Sequence, residues 1–417
     1  MRFVHDKAEH RRKPRLARRG LLGVGLAGVA GLGAWDVRHW YGGSGSGSSG
    51  TIRDAGTPSP ASPRLIGDGS TADTGPQPGR PEVTRLEPGE RPPQFVVVSW
   101  DGAAALDDGL FPRFLKLAKK LDAHMTFFLS GLYLLPESRK SRYRPPMNPA
   151  GASDIGYLSD DHIRTTLEQI AAAWKQGHEI GTHFNGHFCS GSGSVAKWTP
   201  EMWRSEIDQA VSFVTEWRTN TGFKDLDPLP FDYGEELVGG RTPCLLGQDN
   251  LLPTAKELGW RYDASSPGGT QVWPRRKQGL WDLPLQAVPF PGHDFEALTM
   301  DYNFMANQSD GSGDGDPAAR PTWREQARGA YRAGFRRAYG SNRAPLFLGN
   351  HFESWNGGIY MDAVEEALLD MAEYDEVRFV SFRELCDWLD AQSPAVLRSL
   401  QGLGVGEAPA RGWAKTP

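Results

Sequence analysis

Residues 95–102 read FVVVSWDG, an apolar run interrupted only by Ser99 that ends in an acid and a glycine. A run of that length and composition reads as a strand buried on both faces, the habit of parallel sheets. Segments of helical and extended pattern then alternate with it. Residues 112–120 carry a helical pattern and residues 125–129 (MTFFL) a second strand. The next helix sets Ile163, Leu167, Ile170 and Trp174 on one face and stops at Gly177. Residues 178–182 form a third strand, and Pro200 opens a helix with Trp203, Ile207, Ala210 and Val214 on its buried stripe. Helical patterns recur at 251–258, 322–339, 361–374 and 382–389, and extended ones at 260–263, 345–349 and 377–381. This alternation predicts parallel strands and an α/β architecture. The number of strands favours a barrel over an open sheet, and the absence of Gly-x-Gly-x-x-Gly after the first strand argues against a dinucleotide fold.

The segment before this region is of another kind. Residues 1–42 carry nine Lys/Arg against three Asp/Glu, so the net charge of −5 for the 417-residue chain hides an acidic remainder. An acidic body lacks the basic face that a nucleic-acid partner would require. Arg18 and Arg19 precede an apolar run from Gly20 to about Trp35 that is short and Gly-rich for a membrane span. Residues 1–41 therefore read as an export signal resembling the twin-arginine type, with cleavage and retention as a membrane anchor both open. Residues 42–93 are Gly/Ser-rich, then Pro/Thr/Asp-rich, and predict a disordered spacer. The catalytic domain is expected over 94–392 and a flexible tail over 393–417. Three cysteines, Cys189, Cys244 and Cys386, do not make a disulfide scaffold. Cys386 sits in a helical pattern as a core residue, and pairing of Cys189 with Cys244 stays open.

The reactive residues fall at strand ends. Asp101 closes the first strand, His183 follows the third, Asp263 ends a later one, and His351 follows PLFLGN. In a barrel these ends share one face, where active sites of such folds lie. His183 and His187, four apart in GTHFNGH, can turn toward one cation of the borderline class that imidazole suits.

Taken together, these motifs resemble the polysaccharide deacetylase family with the NodB homology domain, and within it the chitin deacetylase-like members. The resemblance covers roughly residues 92–392. SWDGA at 99–103 is similar to the family's Thr-Phe-Asp-Asp-Gly/Ala, and HFNGH at 183–187 to its His-Ser/Thr-x-x-His. RTP at 241–243 resembles the Arg-x-Pro motif, Asp263 follows in YDASS, and NRAP at 342–345 leads to His351 and Trp355. The resemblance implies a distorted (β/α)7-type TIM-like barrel and a metal-dependent hydrolase removing acetyl groups from an N-acetylated polysaccharide. It further implies a divalent metal, zinc by preference, held by His183 and His187 with an acid. Asp101 would be the general base and His351 the general acid, with Arg241 holding Asp101 and Asp263 orienting His351. For Asp263, a turn cap is the plain alternative.

One departure stands out. The family has two adjacent acids where this chain has Asp101 and Gly102. In one register Asp101 is the base and Gly102 the missing metal ligand; in the other Asp101 is the ligand and Trp100 the missing base. Asp107, Asp108 and Asn185 are the nearby candidates to make up the loss. Because catalytic zinc normally has three protein ligands, the alternative reading is a catalytically impaired glycan-binding relative, and an O-acetyl esterase is a variant of the enzyme reading. Phe184 and Cys244 depart from the family pattern as well, which bears on the sugar-binding groove more than on the fold.

Overall fold

The computed structural model describes residues 63–415 apart from Pro88; the basic segment, its apolar run and most of the Gly/Ser-rich stretch lie outside the described residues. The chain opens with a hairpin, β1 (Arg64–Ile66) and β2 (Thr71–Asp73), and continues through β3 (Gln94–Asp101), α1 (Leu110–Leu121), β4 (Thr126–Leu129), α2 (Asp160–Lys175) and β5 (Glu179–Thr182). Then come α3 (Pro200–Thr215), α4 (Trp217–Thr221), α5 (Tyr233–Glu236), α6 (Gln248–Glu257) and β6 (Tyr262–Asp263). Short strands follow: β7 (Arg275–Lys277), β8 (Leu280–Asp282), β9 (Ala287–Pro289) and β10 (Glu296–Leu298). The remainder is α7 (Asp301–Ser309), α8 (Arg320–Tyr339), β11 (Leu346–His351), α9 (Trp355–Met371), β12 (Val377–Phe379), α10 (Phe382–Ala391) and α11 (Pro394–Gln401).

The α/β reading holds. The main sheet is parallel, in the order β11-β3-β4-β5 with β12 also on β3. All eight residues of β3 are buried, because both faces of the strand are covered. Val96, Val98 and Trp100 join the larger core cluster under the helices. Phe95 and Val97 join a second cluster with Phe128, Tyr262, Phe347 and Phe382. Trp100 stacks on Phe352 at 4.4 Å between ring centres and gives its indole N–H to the Met125 sulfur. Both clusters are closed by capped helices, α2 and α3 over the larger and α10 over the second. Ser159 caps α2, Thr199 with Pro200 starts α3, and Ser381 with Glu384 forms a capping box on α10.

The expected barrel is strongly distorted. Among the described residues no continuous ladder closes it; instead isolated parallel bridges, Thr182 to Gly240 and Met300 to Gly349, extend the sheet at its two edges. Strands β7 to β10 are three residues each and the Met300 segment is a single bridge, too short to carry a strand-like sequence pattern.

Two expectations need correction. Part of the expected spacer is ordered: Ser70, Thr71 and Ala72 are buried. The Ala72 N–H donates to the Leu229 carbonyl at 2.8 Å, and the Trp217 indole donates to the Ser70 carbonyl at 2.6 Å. Gln77 caps the end of α2 and the following turn through the carbonyls of Trp174 and His178. This segment is held by main-chain hydrogen bonds more than by apolar burial, so composition alone does not reveal it. The expected tail also carries α11, capped by Ser393, with Val396 and Leu400 in the second cluster.

Candidate active site

Strand register builds the site. Cα pairing of β3 with β11 sets Asp101 directly opposite His351, both at strand C-termini. The Thr182–Gly240 bridge brings Arg241 beside His183, and the Met300–Gly349 bridge brings Asp301, the first residue of α7, beside His351. Charged and imidazole groups from five chain segments thus meet at one end of the sheet.

Asp101 is buried and paired. The Arg241 guanidinium, itself fully buried, donates to Asp101 Oδ1 at 2.7 Å and to Ser99 Oγ at 2.8 Å, while its Nε donates to the Ala264 carbonyl at 3.1 Å. Below it lie the Phe128 and Phe382 rings, 4.9 and 5.8 Å from the guanidinium carbon. Burial pushes the Asp101 carboxyl up, but Arg241, His183 and His351 together hold it below the ordinary carboxylate range. It is therefore ionised at neutral pH.

His183 is oriented by main chain. Its Nδ1 lies 2.8 Å from the Arg241 carbonyl oxygen, which can only accept. Nδ1 must carry the proton, and Nε2 is left with a free lone pair, the arrangement that prepares an imidazole for a cation. Burial lowers the pKa of His183, and burial with His183 and His351 nearby lowers that of His187 to about 3. Both rings are neutral at physiological pH, with centres 5.1 Å apart. The loop between them needs two residues at positive φ, Phe184 at 62° and His187 at 58°. Phe184 is held there by packing on Trp203.

His351 is the opposite case. Its Nδ1–H donates to Asp301 Oδ1 at 2.8 Å and its main-chain N–H to Asp301 Oδ2 at 2.7 Å. Burial lowers its pKa, but Asp301, and beyond it Asp101, raise it to about 9. An imidazolium is favoured, with Nε2–H left to donate.

Asp263 does not orient His351. Its carboxylate accepts from Gln248 Nε2, from Ser265 N at 3.1 Å and from Ser265 Oγ at 2.7 Å, so it caps its own turn. Burial raises its pKa to about 6. The reason is topological: β6 ends against α6, whereas the Met300–Gly349 bridge delivers Asp301 to the histidine. Sequence reasoning missed Asp301. Its only signal is an acid opening a helix after a lone bridge residue.

The structure also separates the two registers of the first motif. Trp100 points to the opposite face and is stacked in the core, so position 100 has no place in the site. Asp101 takes the Arg-paired position, and Gly102 is the gap. Gly102 adopts φ 63°, and the nearest neighbours of a Cβ there would be Tyr133 and Ser130, at 3.7 and 3.8 Å, ordinary van der Waals distances. None of the nearby candidates fills it. Asp107 pairs with His162 at 3.2 Å, Asp108 accepts from the Leu110 N–H at 3.0 Å, and Asn185 donates to the Glu206 carbonyl at 3.0 Å. The imidazoles fit a divalent cation, but the donor set is two protein ligands where catalytic zinc takes three. Cys189 and Cys244 are joined as a disulfide with Cα atoms 5.8 Å apart, and Cys386 is free and buried.

No family model and no curated protein matches the sequence. Among solved structures the chain is similar to one from Mycobacterium smegmatis provisionally described as a polysaccharide deacetylase. That likeness has 18% identity, covers 74% of this chain and 96% of the other, and has a TM-score of 0.44. A family 4 acetyl xylan esterase from Clostridium thermocellum, solved with a cobalt ion, is 16% identical over 70% of this chain and 90% of its own, with a TM-score of 0.35. A CE4 family pseudoenzyme from Bacillus anthracis is 10% identical over 73% and 68%, with a TM-score of 0.37. At such identities only the residues of the site itself bear on its chemistry.

Proposed function

We propose that the protein is a polysaccharide deacetylase-type hydrolase whose acid–base apparatus is built and whose metal position lacks its carboxylate. The observation that carries this reading is the pairing of opposite protonation states across β3 and β11. Asp101 is held ionised by Arg241, and His351 is held protonated by Asp301. Two titratable groups pushed apart in this way are the mark of an acid and a base with separate tasks.

In hydrolysis of an acetamide, Asp101 accepts a proton from the attacking water, and its buried pairing with Arg241 keeps it from drifting. His351 donates its Nε2 proton to the departing amine, which leaves acetate and a free amino sugar. The neutral Nε2 of His183 faces outward for a ligand because Nδ1 is committed to the Arg241 carbonyl. A cation bound here would have His183 and His187 as protein ligands and solvent for the rest, so its hold is weak. Turnover in the native chain should accordingly be slow. We place the protein outside the cytoplasm on the Arg18-Arg19 segment, with an N-acetylated glycan of the chitin or peptidoglycan type as substrate.

Acetate release from N-acetylglucosamine oligomers and acetylated xylan, with and without added zinc or cobalt, tests the proposal. Slow release that rises with cobalt is expected. No release from the native chain or from Gly102→Asp at saturating cobalt would remove the enzyme reading.

Gly102 itself favours a second reading, a glycan-binding relative without turnover. Under it, His183→Ala leaves affinity for the oligomers unchanged while the native chain releases no acetate.

A further inference from the structure

The cysteine pair lies against the histidine loop. His187 Nδ1 is 3.5 Å from Cys189 Sγ, and the ligand atoms of His187, Cys189 and Cys244 all lie within 4.8 Å of one another. Among the described residues this is the one group of three metal-ligating side chains so close together. All three are half-buried, within reach of solvent. As a disulfide the two sulfurs are poor donors. As thiolates beside an imidazole they would form a Cys2His set, which suits zinc and leaves a fourth position open.

The loops that carry the three side chains are also held by hydrogen bonds apart from the disulfide. On the histidine side, the Val195 N–H donates to the Phe188 carbonyl at 2.9 Å and Ser194 Oγ to the Cys189 carbonyl at 3.2 Å. The Gly186 N–H donates to the Tyr143 hydroxyl at 3.0 Å, and that hydroxyl donates to buried Glu206. On the Cys244 side, the Thr242 N–H donates to Ser265 Oγ at 2.8 Å, and the Leu245 N–H closes a turn on the Thr242 carbonyl at 3.1 Å. Opening the sulfur–sulfur bond would leave the donors held close by these contacts.

We propose that reduction of the Cys189–Cys244 disulfide opens a second metal site, formed by His187, Cys189 and Cys244 and selective for zinc-like borderline cations. The reductant is a thiol or dithiol: it supplies two electrons and two protons to the sulfurs and becomes a disulfide itself. Binding of the cation then displaces the thiol protons. In the oxidised chain His187 Nδ1 already lies beside Cys189 Sγ; reduction turns that contact into part of a ligand set. The proposal stands independently of any deacetylase activity.

The test uses the full chain, reduced with a dithiol, freed of it under argon and titrated with cobalt(II). One equivalent should bind with near-ultraviolet sulfur-to-cobalt charge-transfer absorption that the oxidised chain lacks. The absorption should be lost in Cys189→Ser and in Cys244→Ser, retained in Cys386→Ser and His183→Ala, and reached only at higher cobalt concentration in His187→Ala. A second measurement needs no variant. Zinc should slow alkylation of Cys189 and Cys244 in the reduced wild-type chain, read peptide by peptide by mass spectrometry. Absence of the charge-transfer band together with undiminished alkylation would overturn the proposal. Persistence of the band in Cys244→Ser, or unchanged cobalt affinity in His187→Ala, would overturn the assigned ligand set.

Discussion

Asp301 grips His351 twice, through the ring Nδ1 at 2.8 Å and the main-chain N–H at 2.7 Å, so one carboxylate fixes both the charge and the direction of the imidazole. Removing that charge while keeping the shape isolates the first effect. Asp301→Asn should lower the His351 pKa from about 9 toward the ordinary histidine value, read by NMR titration of the ring proton in native and variant chains. An unchanged titration would mean that Asp301 does not set the charge.

The same shift predicts the alkaline limit of any activity. His351 is protonated below about pH 9 and loses its proton above it, whereas Asp101, held below the usual carboxylate range, stays ionised down to acid pH. Activity should therefore be flat through neutrality and fall as pH rises through about 9. In Asp301→Asn the falling limb should move to lower pH. The stability linkage has the same sign. A histidine raised from its unfolded value of about 6.5 contributes stability fully present below that value and lost as pH climbs through its folded value.

Arg241 is buried with its partner, and breaking such a pair from one side leaves a carboxylate without compensation. Arg241→Met should cost about 3–5 kcal/mol in urea unfolding. Asp101→Asn added to it should recover part of the loss. A double variant no more stable than the single would show that the Asp101 charge is not the source of the cost.

Filling the gap at Gly102 trades backbone strain for a ligand. With φ at 63°, Gly102→Asp should destabilise the metal-free chain by about 1–2 kcal/mol. It should also raise zinc affinity of the oxidised chain by at least about tenfold, a gain that calorimetric titration would register. A destabilised chain with unchanged affinity would place the new carboxylate away from the histidines.

The N-terminal hairpin is predicted to be structural. Deletion of residues 63–93 strips hydrogen bonds from Leu229, Trp217, Trp174 and His178. At about 1 kcal/mol for each of these five bonds, two of them on Leu229, the deletion should lower stability by at least roughly 5 kcal/mol, measured by thermal or urea unfolding. A shortened chain as stable as the longer one would make the hairpin an adornment.

Strand β3 is legible in the sequence because burial on both faces leaves Phe95 to Trp100 apolar but for Ser99, and helices α2 and α3 because their caps and stripes are strong. The histidine pair is legible because it follows a strand, whereas Arg241, which follows a lone bridge at Gly240, is legible only through the resemblance of its Arg-x-Pro motif. Asp301 is not, because it is delivered by a single bridge after Met300 and not by a patterned strand. Asp263 misleads for a related reason: ending a strand places a residue at the right level of the sheet but says nothing about which way the next turn points its carboxylate. The hairpin at 64–73 escapes notice because its anchoring uses main-chain groups, which every sequence has.

Arg241 serves the site through two chemically separate parts. Its carbonyl fixes the tautomer of His183, and its guanidinium holds the charge of Asp101. Mutation reaches only the second. A substitution here that the fold tolerates would therefore change the acidity of Asp101 without touching the carbonyl that orients His183. Loss of hydrolysis and loss of ligand binding are separable at one position, and an inactive descendant could keep half of its ancestor's site in working order.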